Sequence, residues 1–250
     1  MSFTLQRAPE PWPRDQGCFS LPPGALHEIH AATEADSVCL SGFALMLGSG
    51  GKNQSVLWIR TREQDREAGL PYPSGLVELG LMPSAAILVR PVDVVSALQA
   101  ALEGARCAAL GAVVVELWGR AKAYDLTASR RLALAAKASG VSVFMVRAGD
   151  EPVPSAAETR WQLRAMPSQA LPAKAPGHPA FHLTLLRARN GLEGVQHHLE
   201  WDRDARQFVS RQRAISVTDH RTSRAAPLSG AVASLSVDRS GAPQSWRAAG

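Results

Sequence analysis

Apolar residues along the chain recur in two registers, and the registers alternate. Residues 25–30 alternate apolar and polar positions like a short strand, and residues 35–47 then place Val38, Leu40, Phe43, Ala44 and Leu47 at near-helical spacing. Gly48 to Gly51 form the stop for that helix. Residues 55–60 and 85–90 read as buried strands, with an irregular stretch over 61–83 that has room for a short helix near 76–81. A helix over 92–107 puts Val94, Leu98, Ala101 and Leu102 on one face. Residues 112–117 barely alternate, the mark of a strand buried on both sides. Asp125 opens a helix through Ser139, with Gly140 placed to end it, and residues 141–147 form another strand. Strands separated by helices of this length predict crossover units and a parallel sheet.

After Asp150 the register changes. Residues 159–164, 181–187, 195–201 and 207–209 read as short strands without intervening helices, Asn190-Gly191 is a turn signal, and 167–180 is a loop rich in Pro and Ala. These strands predict an antiparallel extension of the same sheet. Residues 1–23 carry Pro9, Pro11, Pro13, Pro22 and Pro23 and no sustained period, so they read as an extended arm. Residues 211–250 are rich in Ser, Ala, Gly and Arg and read as a disordered tail. The organisation expected is an arm over 1–23, an α/β domain over 24–210 and a basic tail over 211–250.

Composition narrows the class. The chain has 250 residues, of which 46% are hydrophobic and 20% charged, as in a globular protein with a sizeable core. No apolar run approaches the roughly 20 residues of a membrane helix, and the N-terminus lacks the apolar core of a secretory signal. Three widely spaced cysteines, Cys18, Cys39 and Cys107, fit neither a disulfide framework nor a zinc knuckle. A cytoplasmic protein without a membrane partner is expected. The net charge of +5 is uneven: residues 211–250 hold Arg211, Arg213, Arg221, Arg224, Arg239 and Arg247 against Asp219 and Asp238, leaving the body close to neutral. Positive density for phosphate or an acidic partner is therefore concentrated in the tail, where Trp246 could stack on a base.

Candidate chemistry is sparse. The glycine-rich segment 47–53 lacks the first Gly and the hydroxyl of a phosphate-binding loop and precedes a strand, whereas such a loop follows one. At the position where a phosphate loop belongs, residues 31–39 have neither Gly nor Lys, and Glu34 and Asp36 repel phosphate; Thr33 is a helix cap there. Glu116 closes a buried strand and calls for a partner, for which Arg120 or Lys122 stand nearby in sequence. His27 and His30 point to opposite faces of a strand, as do His197 and His198, so neither pair is a metal site. Arg130 and Arg131 offer positive charge on the helix that Asp125 opens.

The residues from Gly24 to Ile29, Leu57-Trp-Ile, Ile87 to Arg90, Gly111 to Leu117, Asp125 to Gly140, Glu158-Thr-Arg-Trp161 and Leu199-Glu-Trp201 follow the order seen in ImuA proteins, over roughly residues 24–210. The run from Asp125 to Gly140 and the Thr159-Arg-Trp element carry most of the specificity. ImuA proteins resemble a truncated, degenerate RecA recombinase core and are related to the division inhibitor SulA. The resemblance implies a RecA-like core with a mainly parallel central sheet flanked by helices, no catalysis and no cofactor. Glu116 falls in the region of a magnesium-linked acid, and Arg60-Thr61 near the place of a catalytic glutamate. The implied role is that of an accessory protein in SOS-induced error-prone translesion DNA synthesis. The implied partners are an ImuB-like Y-family polymerase homologue and an error-prone replicative-type DNA polymerase alpha subunit, with RecA and DNA as further candidates. Contact residues expected are Arg130, Arg131, Arg211, Arg213, Arg221, Arg224 and Trp246. The alternatives are a SulA-like division inhibitor and a nucleotide hydrolase with an atypical phosphate loop.

Overall fold

A computed structural model describes residues 18–50 and 55–210. Ten strands form one sheet in the order β1-β10-β9-β8-β7-β2-β6-β5-β3-β4. The strands are β1 (Cys18–Phe19), β2 (Leu26–Ala31), β3 (Val56–Ile59), β4 (Ala86–Val89), β5 (Ala112–Trp118), β6 (Ser142–Ala148), β7 (Thr159–Met166), β8 (Ala180–Ala188), β9 (Gln196–Asp202) and β10 (Gln207–Ser210). From β7 through β2, β6, β5 and β3 to β4 every neighbouring pair is parallel, and from β7 to β1 every pair is antiparallel. The burial patterns differ as the two environments require. β3 is buried at all four positions and β5 at six of seven, whereas β7 and β8 alternate along much of their length.

Three longer helices flank the parallel half: α1 (Ser37–Ser49), α4 (Val94–Arg106) and α5 (Leu126–Ser139); α2 (Arg62–Ala68) and α3 (Pro73–Glu78) are short and follow β3. Two apolar clusters occupy the two faces of the sheet. One joins Ile29, Trp58, Val114, Phe144 and Trp161 to Leu40, Phe43 and Met46 of α1. The other joins Leu57, Val113, Val115, Val143 and Met145 to Ala97, Ala101 and Ala105 of α4 and Leu132 and Ala136 of α5. Side chains thus alternate by strand position between an α1 face and an α4/α5 face.

The local signals act as expected at the helix ends. Asp93 Oδ1 accepts from Ser96 N and Asp125 Oδ1 from Ala128 N, each at 2.7 Å. Gly140 ends α5 at φ 80°, and Gly24 packs against it so closely that a Cβ would lie 3.1 Å from Gly140 Cα.

Several expectations need revision. The irregular stretch after β3 holds two helices. α2 is charged on every side and has no apolar period; a capping box instead starts it, with Thr61 N donating to Gln64 Oε1 and Gln64 N to Thr61 Oγ1. α3 begins three residues earlier than 76 because Pro73 opens it. Val38 is 75% exposed, so the buried face of α1 excludes it. On α4 the small side chains Ala97, Ala101 and Ala105 meet the sheet, while Leu98 and Leu102 are only half-buried. Cys18–Phe19 pairs with β10 at the far edge, so the sheet takes in residues assigned from sequence to the arm. Residues 1–17, and the tail from 211 with Arg211, Arg213, Arg221, Arg224 and Trp246, lie outside the described residues.

Candidate functional site

In a sheet of this kind a ligand site belongs at the carboxyl ends of the parallel strands, where successive crossovers leave in opposite directions. Here β6 and β7 flank β2, and β2 itself leads through α1 to β3, on the far side of β6 and β5. Three groups of side chains fill these ends.

The first lies between β2 and α1, the position of a phosphate-binding loop. Residues 34–36 form a single 3-10 turn ahead of α1. The Asp36 carboxylate is buried and turned back on this turn: Oδ2 accepts from Thr33 N at 3.0 Å and from Thr33 Oγ1 at 2.6 Å, and Oδ1 accepts from Ala165 N at 2.9 Å. An anion belonging to the chain itself therefore holds donors that a phosphate would need. Thr33 caps this turn, one turn ahead of α1. The glycine-rich segment lies at the other end of α1, where Leu47 to Ser49 are still helical and the helix dipole disfavours anions; residues 51–54 lie outside the described residues.

The second group is on the α1 face, at the ends of β3 and β5. Glu116 is 1% exposed. Its partner is Trp58, whose Nε1 donates to Glu116 Oε1 at 2.5 Å, and not Arg120 or Lys122, which are exposed. Burial raises the Glu116 pKa, against the Arg60 charge and hydrogen bonding from Ser41 and Trp58. Arg60 lies 5.2 Å from the centroid of the Trp58 ring and pairs with Asp65 at 3.0 Å; Asp65 also pairs with Arg90 at 2.7 Å. Arg60 further donates to the carbonyls of Gln64 and Gly69, which ties α2 to the strand end. The strand-end acid is thus held by an indole and faces an arginine that is itself committed to α2.

The third group lies on the opposite face. Glu28 on β2 accepts from Tyr124 Oη and from Arg160 Nε, both at 2.6 Å, with His30 Nε2 3.6 Å away. Burial pushes the Glu28 pKa up, but His30, the Arg160 charge and the Ser155 and Tyr124 hydroxyls outweigh it and hold it at about 2. Tyr124 is raised well above its usual value by burial and by the adjacent Glu28. Arg160 also donates to Val153 O and to Ser155 Oγ, Arg187 donates to Ser155 O, and Arg147 pairs with Asp150 at 2.7 Å. Residues 150–158, the loop from β6 to β7, are therefore pinned to the sheet by three arginines.

Five of the described histidines sit among packed side chains. His27 Nδ1 is 2.7 Å from Thr159 Oγ1, and Nε2 donates to Pro22 O at 2.9 Å. Burial lowers the His27 pKa to about 4 against that bond to Pro22. His30 is on the other face, beside Glu28. His197 packs on Phe19 and Trp161, and His198 stacks on His182 at 4.7 Å on the opposite side of the strand. Cys39 is half-buried and Sγ donates to Asp36 O; burial, with the Asp36 charge, pushes its pKa up to about 11. Arg130 and Arg131 are exposed on α5, away from these groups, and Arg131 lines the groove between α4 and α5.

Sequence reasoning singled out Asp36 and Glu116 but missed Trp58, the partner of Glu116 58 residues away, and the whole Glu28–Arg160 pair, whose members are 132 residues apart. Only the pairing of β2, β3, β5 and β7 brings them together. For the Arg60–Asp65 pair the local signal was the capping box at Thr61.

Among solved structures, a recombinase, RadB, shares the fold: the TM-score is 0.50 at 16% identity, covering 73% of this chain and 89% of the recombinase. No family model matches the chain. Protein ImuA from two strains of Caulobacter vibrioides is 32% identical over 201 residues, which span 73% of this chain and 78% of the relative. With a sheet shared with a recombinase and a relative aligned over most of both chains, this protein belongs to the ImuA family.

Proposed function

We propose that the chain is a non-catalytic accessory protein of SOS-induced error-prone translesion DNA synthesis. The kinship with ImuA over most of both sequences carries this reading. The strand ends support it. A phosphate seated ahead of α1 would have to displace the buried Asp36 carboxylate from Thr33 and Ala165, and would meet its charge. A magnesium ion beside Glu116 would have to compete with the Trp58 indole and the Arg60 guanidinium. The RecA-like core is then a scaffold whose nucleotide position is filled by its own side chains.

In this reading the chain works in the cytoplasm and organises an ImuB-like Y-family polymerase homologue and an error-prone replicative-type DNA polymerase alpha subunit, with RecA and DNA as additional contacts. Residues 24–210 with the edge strand Cys18–Phe19 form the core, the residues before that strand act as an arm, and 211–250 act as a basic tail that adds salt-dependent attraction through Arg211, Arg213, Arg221 and Arg224, with Trp246 stacking on a base. Arg130 and Arg131 contribute contact from the core.

The test pairs two assays on the full chain: binding of a fluorescent ATP analogue with magnesium, and co-purification with the tagged polymerase-like partner. The expected result is a complex that forms equally with and without nucleotide, and no nucleotide turnover. Turnover of ATP by the isolated chain supports the hydrolase instead. Failure to bind the partner, with filamentation of cells on overproduction, supports the division inhibitor.

A further inference from the structure

α4 and α5 lie side by side on one face of the sheet, joined at one end by Ser139 Oγ, which donates to Ala105 O at 2.6 Å. The groove between them holds two cavities of about 200 and 430 Å³, and Leu102 and Arg131 line both. Its rims are apolar where a solvent-facing helix would carry polar residues: Leu134 is 60% exposed and Val95 52%. The charged side chains that line the two cavities, Arg106 and Arg131, are both basic. α5 carries Arg130, Arg131 and Lys137, all exposed, and no acidic residue from Leu126 to Ser139. None of the three pairs with a described carboxylate, whereas Arg106 on α4 is paired with Glu103 at 2.8 Å.

We propose that this groove docks an acidic segment of another protein that carries apolar anchors. The apolar side chains of the segment fill the space over Leu102 and Leu134, and its carboxylates meet Arg131 and its neighbours, since guanidinium binds carboxylate in a fixed two-pronged geometry. Other occupants fit less well. The tail of the chain is itself strongly basic, and residues 1–17 have balanced charges and are interrupted by Pro9, Pro11 and Pro13. A second copy placed groove to groove would bring arginine against arginine. Nucleic acid would use the arginines and leave Leu134 and Val95 in water. At 1.5 Å per residue α5 is about 21 Å long, so a segment of roughly 14 residues spans it. This inference gives Arg131 a chemically defined partner. It rests on the groove and not on the accessory role, and its test reads the groove alone.

The test presents a random library of peptides of about 16 residues on phage to the immobilised full chain, with Leu134→Asp and Arg131→Glu variants alongside. Both sites are exposed, and unchanged thermal unfolding midpoints establish that the variants are folded. The expected result is enrichment of clones with net negative charge and several large apolar residues, whose binding each variant weakens at least tenfold. No enrichment, enriched clones of net positive charge, or clones that bind wild type and variants equally overturn the proposal. A single-stranded oligonucleotide that binds through Arg131 but is indifferent to Leu134→Asp, with no peptide enriched, assigns the surface to nucleic acid and also overturns it.

Discussion

Replacing Arg160 with Leu isolates the buried carboxylate of Glu28. In the folded protein Glu28 is 1% exposed, and its pKa falls from the ordinary 4.5 to about 2. At about 1.4 kcal/mol per pKa unit, that depression corresponds to about 3 kcal/mol of favourable interaction with the ionised form. Breaking a buried ion pair by removing one partner costs about 3–5 kcal/mol, which agrees. The sign with pH follows from the direction. The folded pKa is below the unfolded one, so the stabilisation is fully present above pH 4.5 and is lost as pH falls from 4.5 to 2. In Arg160→Leu, burial acts on Glu28 against His30, Ser155 and Tyr124 without the guanidinium charge, and protonation relieves the cost to the folded state. The variant is therefore expected to be about 3 kcal/mol less stable than wild type at pH 7, with the difference shrinking at pH 3. Urea unfolding followed by the fluorescence of the buried Trp161 and Trp201 measures both values. The double variant Glu28→Gln/Arg160→Leu should recover much of the loss, because no buried charge is left without a partner. A loss below about 0.5 kcal/mol at pH 7, or one as large at pH 3 as at pH 7, refutes the reasoning.

Further outcomes follow from the same packing and charge. Wild type is expected to lose about 3 kcal/mol between pH 6.5 and pH 4, because the unfolded chain takes up a proton that buried His27 refuses until about pH 4; His27→Gln should flatten that part of the urea-midpoint profile. Glu116→Gln should not destabilise the protein at pH 7: the raised pKa means that ionising the buried carboxylate costs stability as pH rises from the ordinary carboxylate value towards the folded one, and the amide carbonyl can still accept from Trp58, so the melting temperature of the variant should gain on wild type between pH 5 and pH 8. Asp36→Ala leaves Thr33 N and Ala165 N without their acceptor and should cost about 2–3 kcal/mol in chemical denaturation. Gly104→Ala places a Cβ 2.3 Å from Leu57 Cδ2 and 3.1 Å from Val113 Cγ2, an overpacking that should cost about 1–3 kcal/mol and lower the melting temperature.

The alternation of helix and strand was legible because the parallel half buries both faces of its strands, and β3 and β5 announce themselves as unbroken apolar runs. The same logic failed for α2. Its stability comes from the Thr61 cap and from Arg60, which hold it to the strand end, and neither leaves an apolar period in the sequence. β1 is two residues long and exists because β10 offers it an edge, a reason that lies nearly 190 residues downstream. At the strand ends, residue types disclosed that a phosphate loop was missing, since Asp36 stands where no anion is tolerated beside phosphate. What fills the space was illegible: the Trp58–Glu116 and Glu28–Arg160 pairs are products of sheet order, and the order β7-β2-β6-β5-β3 is not written in any local spacing.

A function in damage-induced mutagenesis is read out by mutation frequency after ultraviolet damage in a strain lacking the gene, restored with the full chain or left unrestored. The deletion is expected to abolish induced mutagenesis and the full chain to restore it. Induced mutagenesis that persists in the deletion strain would contradict that function.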